Sequence, residues 1–124
     1  MSDTIITTPL TAVELAEAAS ESIRSLNHAT FMVSSPLSIG GDLYPITADL
    51  ANLGFRLHQA CEQLSKIAGA RLAAGGLVAD DGTDPAGAIA AAQHELELAA
   101  GLAWRFGNAC SAAQSTIARI ADPL

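Results

Sequence analysis

The sequence predicts an all-α fold, an antiparallel three-helix bundle with long helices in which helices two and three form a hairpin. Apolar residues recur at steps of three and four along three segments, and each segment is bounded by helix-capping residues, Gly or Pro. Half of the 124 residues are hydrophobic and only 15% are charged, which excludes a disordered chain. We expect a flexible N-terminal arm over residues 1–9 and a single helical domain over residues 10–124.

Helix one is expected over about residues 11–33. Thr11 is followed three residues later by Glu14, which is the spacing of a capping box. Ser35-Pro36 ends the helix, because the residue before a proline disfavours the helical conformation. The apolar stripe that we expect to be buried consists of Ala12, Leu15, Ala19, Ile23 and Leu26, with Val33 as a further candidate.

The segment 34–45 is rich in Gly, Pro and Ser and therefore predicts a connection. Its apolar residues lead us to expect that it packs across the end of the bundle. Helix two is expected over about residues 46–74, because Gly75-Gly76 is a C-terminal stop. Its buried seam is predicted at Leu50, Leu53, Leu57, Ala60, Leu64 and Ile67.

Helix three is expected over about residues 85–121, because Asp84 is a helix cap and Pro85 suits the first helical position. At about 1.5 Å per residue such a helix is roughly 54 Å long, which implies long antiparallel helices. Its predicted heptad seam consists of Ile89, Ala92, Leu96, Ala99, Ala103, Phe106, Cys110, Ala113, Ile117 and Ile120.

Net charge and the distribution of charged residues exclude two classes of partner. The formal charge of −7 repels phosphate backbones, so no nucleic-acid partner is expected. Glu95, Glu97 and Arg105 interrupt the most apolar helix, so no membrane span and no membrane partner are expected. The N-terminus lacks the pattern of a secretory signal, and two cysteines without that signal favour a reducing cytoplasm.

The residues that carry chemistry elsewhere are scattered in this sequence. His28, His58 and His94 fall one per helix at levels roughly 10 Å apart, too far for one metal ion. Cys61 and Cys110 fall roughly 16 Å apart along the hairpin, too far for a disulfide. No phosphate-binding glycine motif and no nucleophile elbow is present. We therefore expect no enzymatic activity, no cofactor and no metal site.

Apolar residues off the predicted seams indicate association. Alanine at many seam positions buries little area, so a three-helix monomer would have a thin core. Leu98, Leu102 and Trp104 lie off the seam of helix three and form a candidate interaction surface. We expect a homodimer or a complex with another helical protein. The alternative is that helix one and the 34–45 segment cover these residues.

A second candidate lies at the end of helix one, where Asn27, His28 and Thr30 precede Tyr44 in the following segment. One interpretation is structural, with these side chains closing the helix and binding the backbone of the segment. The other is a recognition cluster at that end of the bundle.

Four short motifs stand out within residues 20–68. They are Arg24-x-Leu26-Asn27-His28-Ala29-Thr30 after Ile23, Tyr44-Pro45, Leu53-Gly54 and Gln63-Leu64. In these motifs the sequence resembles a set of small actinobacterial all-helical proteins. The sequence departs from the family at Ala60-Cys61-Glu62, where a stretch similar to Leu-Pro-Gln is typical. The resemblance implies a source class, but no activity.

The leading hypothesis is a non-enzymatic cytoplasmic interaction or scaffold protein that acts through apolar helix faces. The alternative is a helical-hairpin effector or chaperone, since the chain is similar in length, acidity and alanine content to substrates of type VII secretion. Trp104 lies inside helix three rather than in the Trp-x-Gly turn of that class. A third hypothesis is a small-molecule binder with a pocket lined by Phe55, Trp104 and Phe106.

Overall fold

The computed structural model describes residues 8–32 and 36–123, which belong to two units, Met1–Pro36 and Leu37–Leu124. Each unit is described by itself. The predicted flexible arm lies largely outside the described residues, and the single domain over residues 10–124 stays a prediction.

Three α-helices and one short π-helical turn make up the regular structure of the described residues, which contain no strand. The predicted all-α class is confirmed, and so is the hairpin, because α2 and α3 pack against each other. The elements are α1 (Ala12–Phe31), the π turn (Ile39–Leu43), α2 (Tyr44–Ala74) and α3 (Pro85–Ile117).

Helix α1 begins with the predicted capping box. The Thr11 hydroxyl accepts a hydrogen bond from the Glu14 N–H at 3.2 Å, and the Thr11 N–H donates to the Glu14 carboxylate at 3.0 Å. The hydrogen bond from the Thr11 N–H lowers the pKa of Glu14 below its ordinary value, and the Thr11 side chain adds a smaller effect in the same direction. The helix ends at Phe31, and Val33 lies outside the described residues.

Helix α2 begins at Tyr44, two residues before its predicted start. Leu43 already has helical dihedral angles, φ −62° and ψ −41°, so α2 continues from the π turn without a side-chain cap. The π turn contacts both α2 and α3, in agreement with the expected packing of this segment across the end of the helices. Helix α2 ends at Ala74 as predicted, because Gly75 has a φ of +80°.

Helix α3 begins as predicted, with the Asp84 carboxylate accepting from the Ala86 N–H at 3.0 Å. It ends at Ile117 rather than at the expected position 121. The chain leaves the helical path there, and Asp122 accepts hydrogen bonds from the backbone N–H groups of Ile39 at 3.0 Å and Gly40 at 3.2 Å. The same two donors, Ile39 first, lower the pKa of Asp122.

The hairpin is antiparallel, as shown by the residues that meet across it. A Cβ built on Gly54 would lie 2.7 Å from the Gly107 nitrogen, and the Gln93 amide donates to the Ser65 carbonyl at 3.0 Å. Along the hairpin axis, residue numbers in α2 therefore increase in the direction in which those in α3 decrease. The π turn lies at one end of this hairpin and the connection between α2 and α3 at the other.

Mostly small and polar residues, with four leucines and isoleucines among them, form the line along which α2 and α3 meet, here called the hairpin seam. Every residue in it is buried or half-buried. The α2 half consists of Thr47, Ala51, Gly54, His58, Cys61, Ser65, Ala68 and Leu72. The α3 half consists of Ile89, Gln93, Leu96, Ala100, Ala103, Gly107, Cys110, Gln114 and Ile117.

The predicted seam of helix two is wrong by one residue. Leu57, Leu64 and Ile67, expected in the interior, are exposed, and the residue after each predicted position lies in the hairpin seam instead. The predicted seam of helix three is half correct. Ile89, Leu96, Ala103, Cys110 and Ile117 are confirmed, whereas Ala92, Ala99, Phe106 and Ala113 are each replaced by the following residue. Ile120 lies beyond the end of α3 and is exposed, so its predicted place in the seam is wrong.

A pair of glycines explains this shift. Gly54 and Gly107 are both buried, and a Cβ on either would lie under 3.0 Å from atoms across the seam. Backbones this close leave no room for a large side chain between them, so the helices meet along small residues at the glycine pair, whereas Leu72, Ile89, Leu96 and Ile117 lie in the seam farther from it. Near the glycine pair, the larger side chains Leu53, Leu57 and Phe106 consequently lie beside the contact rather than in it.

Candidate interaction surfaces

A second heptad runs along α2, one residue before the hairpin seam at every position. We call it the leucine seam. Its members are Ile46, Leu50, Leu53, Leu57, Ala60, Leu64 and Ile67. Leu57, Leu64 and Ile67 are exposed, whereas Ile46, Leu50 and Leu53 are half-buried.

Helix α3 adds two large apolar side chains on the same flank of the hairpin. Phe106 lies beside Gly54, with a ring carbon 2.8 Å from a Cβ built there. Leu102 is one helical turn from Phe106 and shares its stripe. The leucine face is defined as the exposed residues Leu57, Leu64, Ile67, Leu102 and Phe106, which are between 43 and 57% exposed.

The distribution of apolar residues in the hairpin is the reverse of that in a self-contained domain. Among the described residues, Ala51 and Ala100 are the buried hydrophobic side chains. Leucine, isoleucine and phenylalanine are normally among the most buried residue types. Contiguous exposed apolar patches are uncommon on monomeric proteins, and they are typical of sites that bind another protein, a membrane or a ligand.

The opposite flank of the hairpin carries an aromatic cluster of Phe55, Trp104 and His58. The ring centroids of Phe55 and Trp104 are 4.9 Å apart, and those of His58 and Trp104 are 5.2 Å apart, both in tilted arrangements. Tilted aromatic pairs at these distances are attractive. The cluster joins α2 to α3 beside the glycine pair.

His58 anchors this cluster through both ring nitrogens. Nδ1 lies 2.8 Å from the Ala100 carbonyl oxygen, and Nε2 lies 2.6 Å from the Glu62 carboxylate. Both partners are acceptors, so a doubly protonated ring donates to both of them, whereas a neutral tautomer donates to one only. This arrangement is a polar bridge between the helices, with Glu62 half exposed at its outer end.

The predicted interaction surface of Leu98, Leu102 and Trp104 is divided between two flanks. Leu98 and Leu102 are exposed and lie one turn apart on the same stripe. Trp104 packs against Phe55 on the other flank, although about half of it is exposed. The structure brings the two leucines together and separates Trp104 from them. Their role in binding stays a prediction.

The predicted recognition cluster is divided between the two units. Asn27, His28 and Thr30 belong to α1, and the Thr30 hydroxyl donates to the Leu26 carbonyl at 2.9 Å. Tyr44 begins α2 in the other unit. The cluster therefore stays a prediction.

The described residues contain no group of three or more His, Cys, Asp or Glu side chains that could hold a metal ion. Cys61 and Cys110 are free thiols on the hairpin seam. No helix in the described ranges combines the length and apolarity that a membrane crossing requires.

Comparison with known proteins gives no match. No protein-family model, no curated protein and no solved structure matches the chain. The resemblance to small actinobacterial helical proteins stays a prediction.

The sequence analysis grouped Phe55 and Trp104 as pocket-lining residues together with Phe106, which lies on the opposite flank, and it missed His58 as the third member of the cluster. The register of the hairpin contains the signal for this cluster. The connection between α2 and α3 spans residues 75–84, so its midpoint places His58 level with residues near 102. Phe55 and Trp104 then fall on one flank at neighbouring levels. The predicted seam of helix two was wrong by one residue, and this error concealed that His58 lies close to Trp104.

Proposed function

We propose that the protein is a non-enzymatic cytoplasmic interaction or scaffold protein, which acts through apolar helix faces as a homodimer or with a partner helix. The leucine face is the observation that carries this proposal. The hairpin closes on a seam of mostly small residues, while Leu57, Leu64 and Ile67 of α2 lie exposed outside that seam.

The energetics of the leucine face support association. Covering one fully exposed leucine, isoleucine or phenylalanine contributes about 1.5 to 3 kcal/mol. The five residues of the face are close to half exposed, so covering them contributes roughly 4 to 8 kcal/mol for each protein chain that supplies such a face. This is comparable with the estimated loss of translational and rotational freedom on association.

The charge on the hairpin also suits a docking surface. Every residue of the leucine seam from Ile46 to Ile67 is apolar, and the acidic residues Asp49 and Glu95 lie at the margins of the leucine face. The net charge of −7 keeps other surfaces apart in solution. This charge therefore favours association through the apolar leucine seam.

Sedimentation velocity over a wide range of concentrations tests the proposal. The variant Leu64→Glu places a charge on the leucine face, where the wild-type side chain is already exposed, so the hairpin itself should still form. The matched control is Val78→Glu, because Val78 lies in the connection after α2 and is 89% exposed. Affinity capture with the same variants extends the test to partner proteins.

We expect the wild type and Val78→Glu to sediment as a complex, or to capture one stoichiometric helical partner, and Leu64→Glu to lose that association. A wild-type chain that stays monomeric at every concentration and captures no partner would contradict the proposal.

A further inference from the structure

We infer that the leucine face is covered by a second copy of this chain, docked so that the α2 helices run antiparallel and the two hairpins form a four-helix bundle. This inference rests on the proposed function and specifies its partner and geometry. The geometry of α2, the register of the leucine seam, the charges at its ends and the area of the face support it.

The two seams of α2 have the angular relation that a four-helix bundle needs. They are offset by one residue, which is a rotation of about 100° around the helix axis. In a square arrangement of four helices, each helix meets two neighbours at directions near 90°. With α3 on the hairpin seam, the second neighbour of α2 therefore lies on the leucine seam.

The leucine seam is complementary to itself in the antiparallel direction. Placing Leu57 opposite the partner's Ala60 sets the register of the whole seam. Leu53 then lies opposite the partner's Leu64, and Leu50 opposite the partner's Ile67. Each layer pairs one of the two apolar heptad positions with the other, as in antiparallel coiled coils. The central layer packs the large side chain of Leu57 against the small side chain of Ala60.

Two α2 helices paired in this register are related by a two-fold axis, and this axis also places α3 opposite the α3 helix of the partner. The contacts of Gly54 with Gly107 and of His58 with Ala100 fix the level of α3 against α2. The centre of the leucine seam, near His58, is thereby level with Leu102. Leu102 then lies beside the axis, and Phe106 lies opposite the partner's Ala99, again a large side chain against a small one.

The charges at the ends of the leucine seam favour the antiparallel orientation. Asp49 flanks one end and Arg71 occupies the next heptad position at the other, and both side chains are exposed. Among the described residues neither takes part in an ion pair. Antiparallel docking brings Asp49 near the partner's Arg71 at both ends, whereas parallel docking places like charges together.

The face also has the area that a stable dimer needs. Half of the surface of five large apolar side chains amounts to on the order of 400 to 500 Å². The half-buried leucines and the exposed alanines between them bring the face towards the roughly 800 Å² per partner of a standard interface.

Crosslinking of single-cysteine variants tests the orientation in the full chain. In a background of Cys61→Ala and Cys110→Ala, the exposed residues Asp49 and Ala70 are each replaced by cysteine in separate chains. Antiparallel docking brings position 49 beside the partner's position 70. It holds the two copies of position 49 about 30 Å apart. The probe is a bis-maleimide with a short spacer, and Leu64→Glu is added to both chains as the control.

We expect crosslinked dimer from the mixture of Asp49→Cys and Ala70→Cys chains, little from either variant alone, and roughly a hundredfold weaker dimerisation with Leu64→Glu. Crosslinking of Asp49→Cys with itself would overturn the antiparallel geometry and leave the proposed function standing. A dimer insensitive to Leu64→Glu would place the interface elsewhere. A monomer that captures only a different protein would overturn this inference alone, and a monomer that binds nothing would overturn both.

Discussion

Replacement of Gly54 by alanine should destabilise the protein, although alanine is the better helix former. A Cβ at this position would lie 2.7 Å from the Gly107 nitrogen and 2.8 Å from its Cα. These are backbone atoms of α3, so relief requires the two helices to separate by more than half an ångström. Overpacking of this kind costs typically 1 to 3 kcal/mol, and contact with rigid backbone indicates the upper end.

The gain in helix propensity offsets part of this loss. Alanine is favoured over glycine in a helix by about 1 kcal/mol, so the expected net destabilisation is about 2 kcal/mol. For a chain of this size, that corresponds to a fall in Tm of about 8 °C.

Gly101 supplies the matched control, because it lies in α3 with nothing within 4 Å of a Cβ built on it. Gly101→Ala should therefore gain up to about 1 kcal/mol. Urea unfolding followed by far-ultraviolet circular dichroism, at one fixed protein concentration, measures both variants. If Gly54→Ala proves as stable as Gly101→Ala, the close approach of the two helices is refuted.

Three further perturbations test separate contacts. Asp122→Asn should speed amide exchange at Ile39 and Gly40. Because folding lowers the pKa of Asp122, the wild type loses the stability that this carboxylate contributes as the pH falls below the unfolded pKa of about 3.9. The variant should lack that pH dependence. His58→Ala should lose about 1 to 2 kcal/mol and shift the fluorescence of Trp104, the only tryptophan in the sequence, and an unchanged spectrum would count against the aromatic cluster. Thr11→Ala should weaken α1 by about 1 kcal/mol, seen as faster amide exchange in its first turn, and unchanged exchange would argue against the cap.

Local signals predicted the ends of the helices well. The capping box at Thr11, the Asp84-Pro85 start and the Gly75 stop depend on neighbouring residues, so they can be read from short stretches of sequence. The end of α3 was missed because Asp122 binds backbone groups of the π turn, which are far away in the sequence.

The face on which α2 packs was harder to predict, for a physical reason. A search for buried residues gives the most weight to large apolar side chains, and Leu57 and Leu64 satisfy it. The hairpin instead follows Gly54 and Gly107, because close backbone approach gains packing along the whole helix. The candidate interaction surface was consequently sought on Leu98, Leu102 and Trp104, whereas the leucine seam on α2 was assigned to the core.

The one-residue offset between the two seams separates two kinds of evolutionary change. In the proposed dimer, a substitution at Leu57 or Leu64 alters association and leaves the closure of the hairpin intact, whereas a substitution at Gly54 does the reverse. The proposed association can therefore tighten or loosen without passing through unfolded intermediates. Adjacent residues of the same helix thus determine the closure of the hairpin and its proposed association.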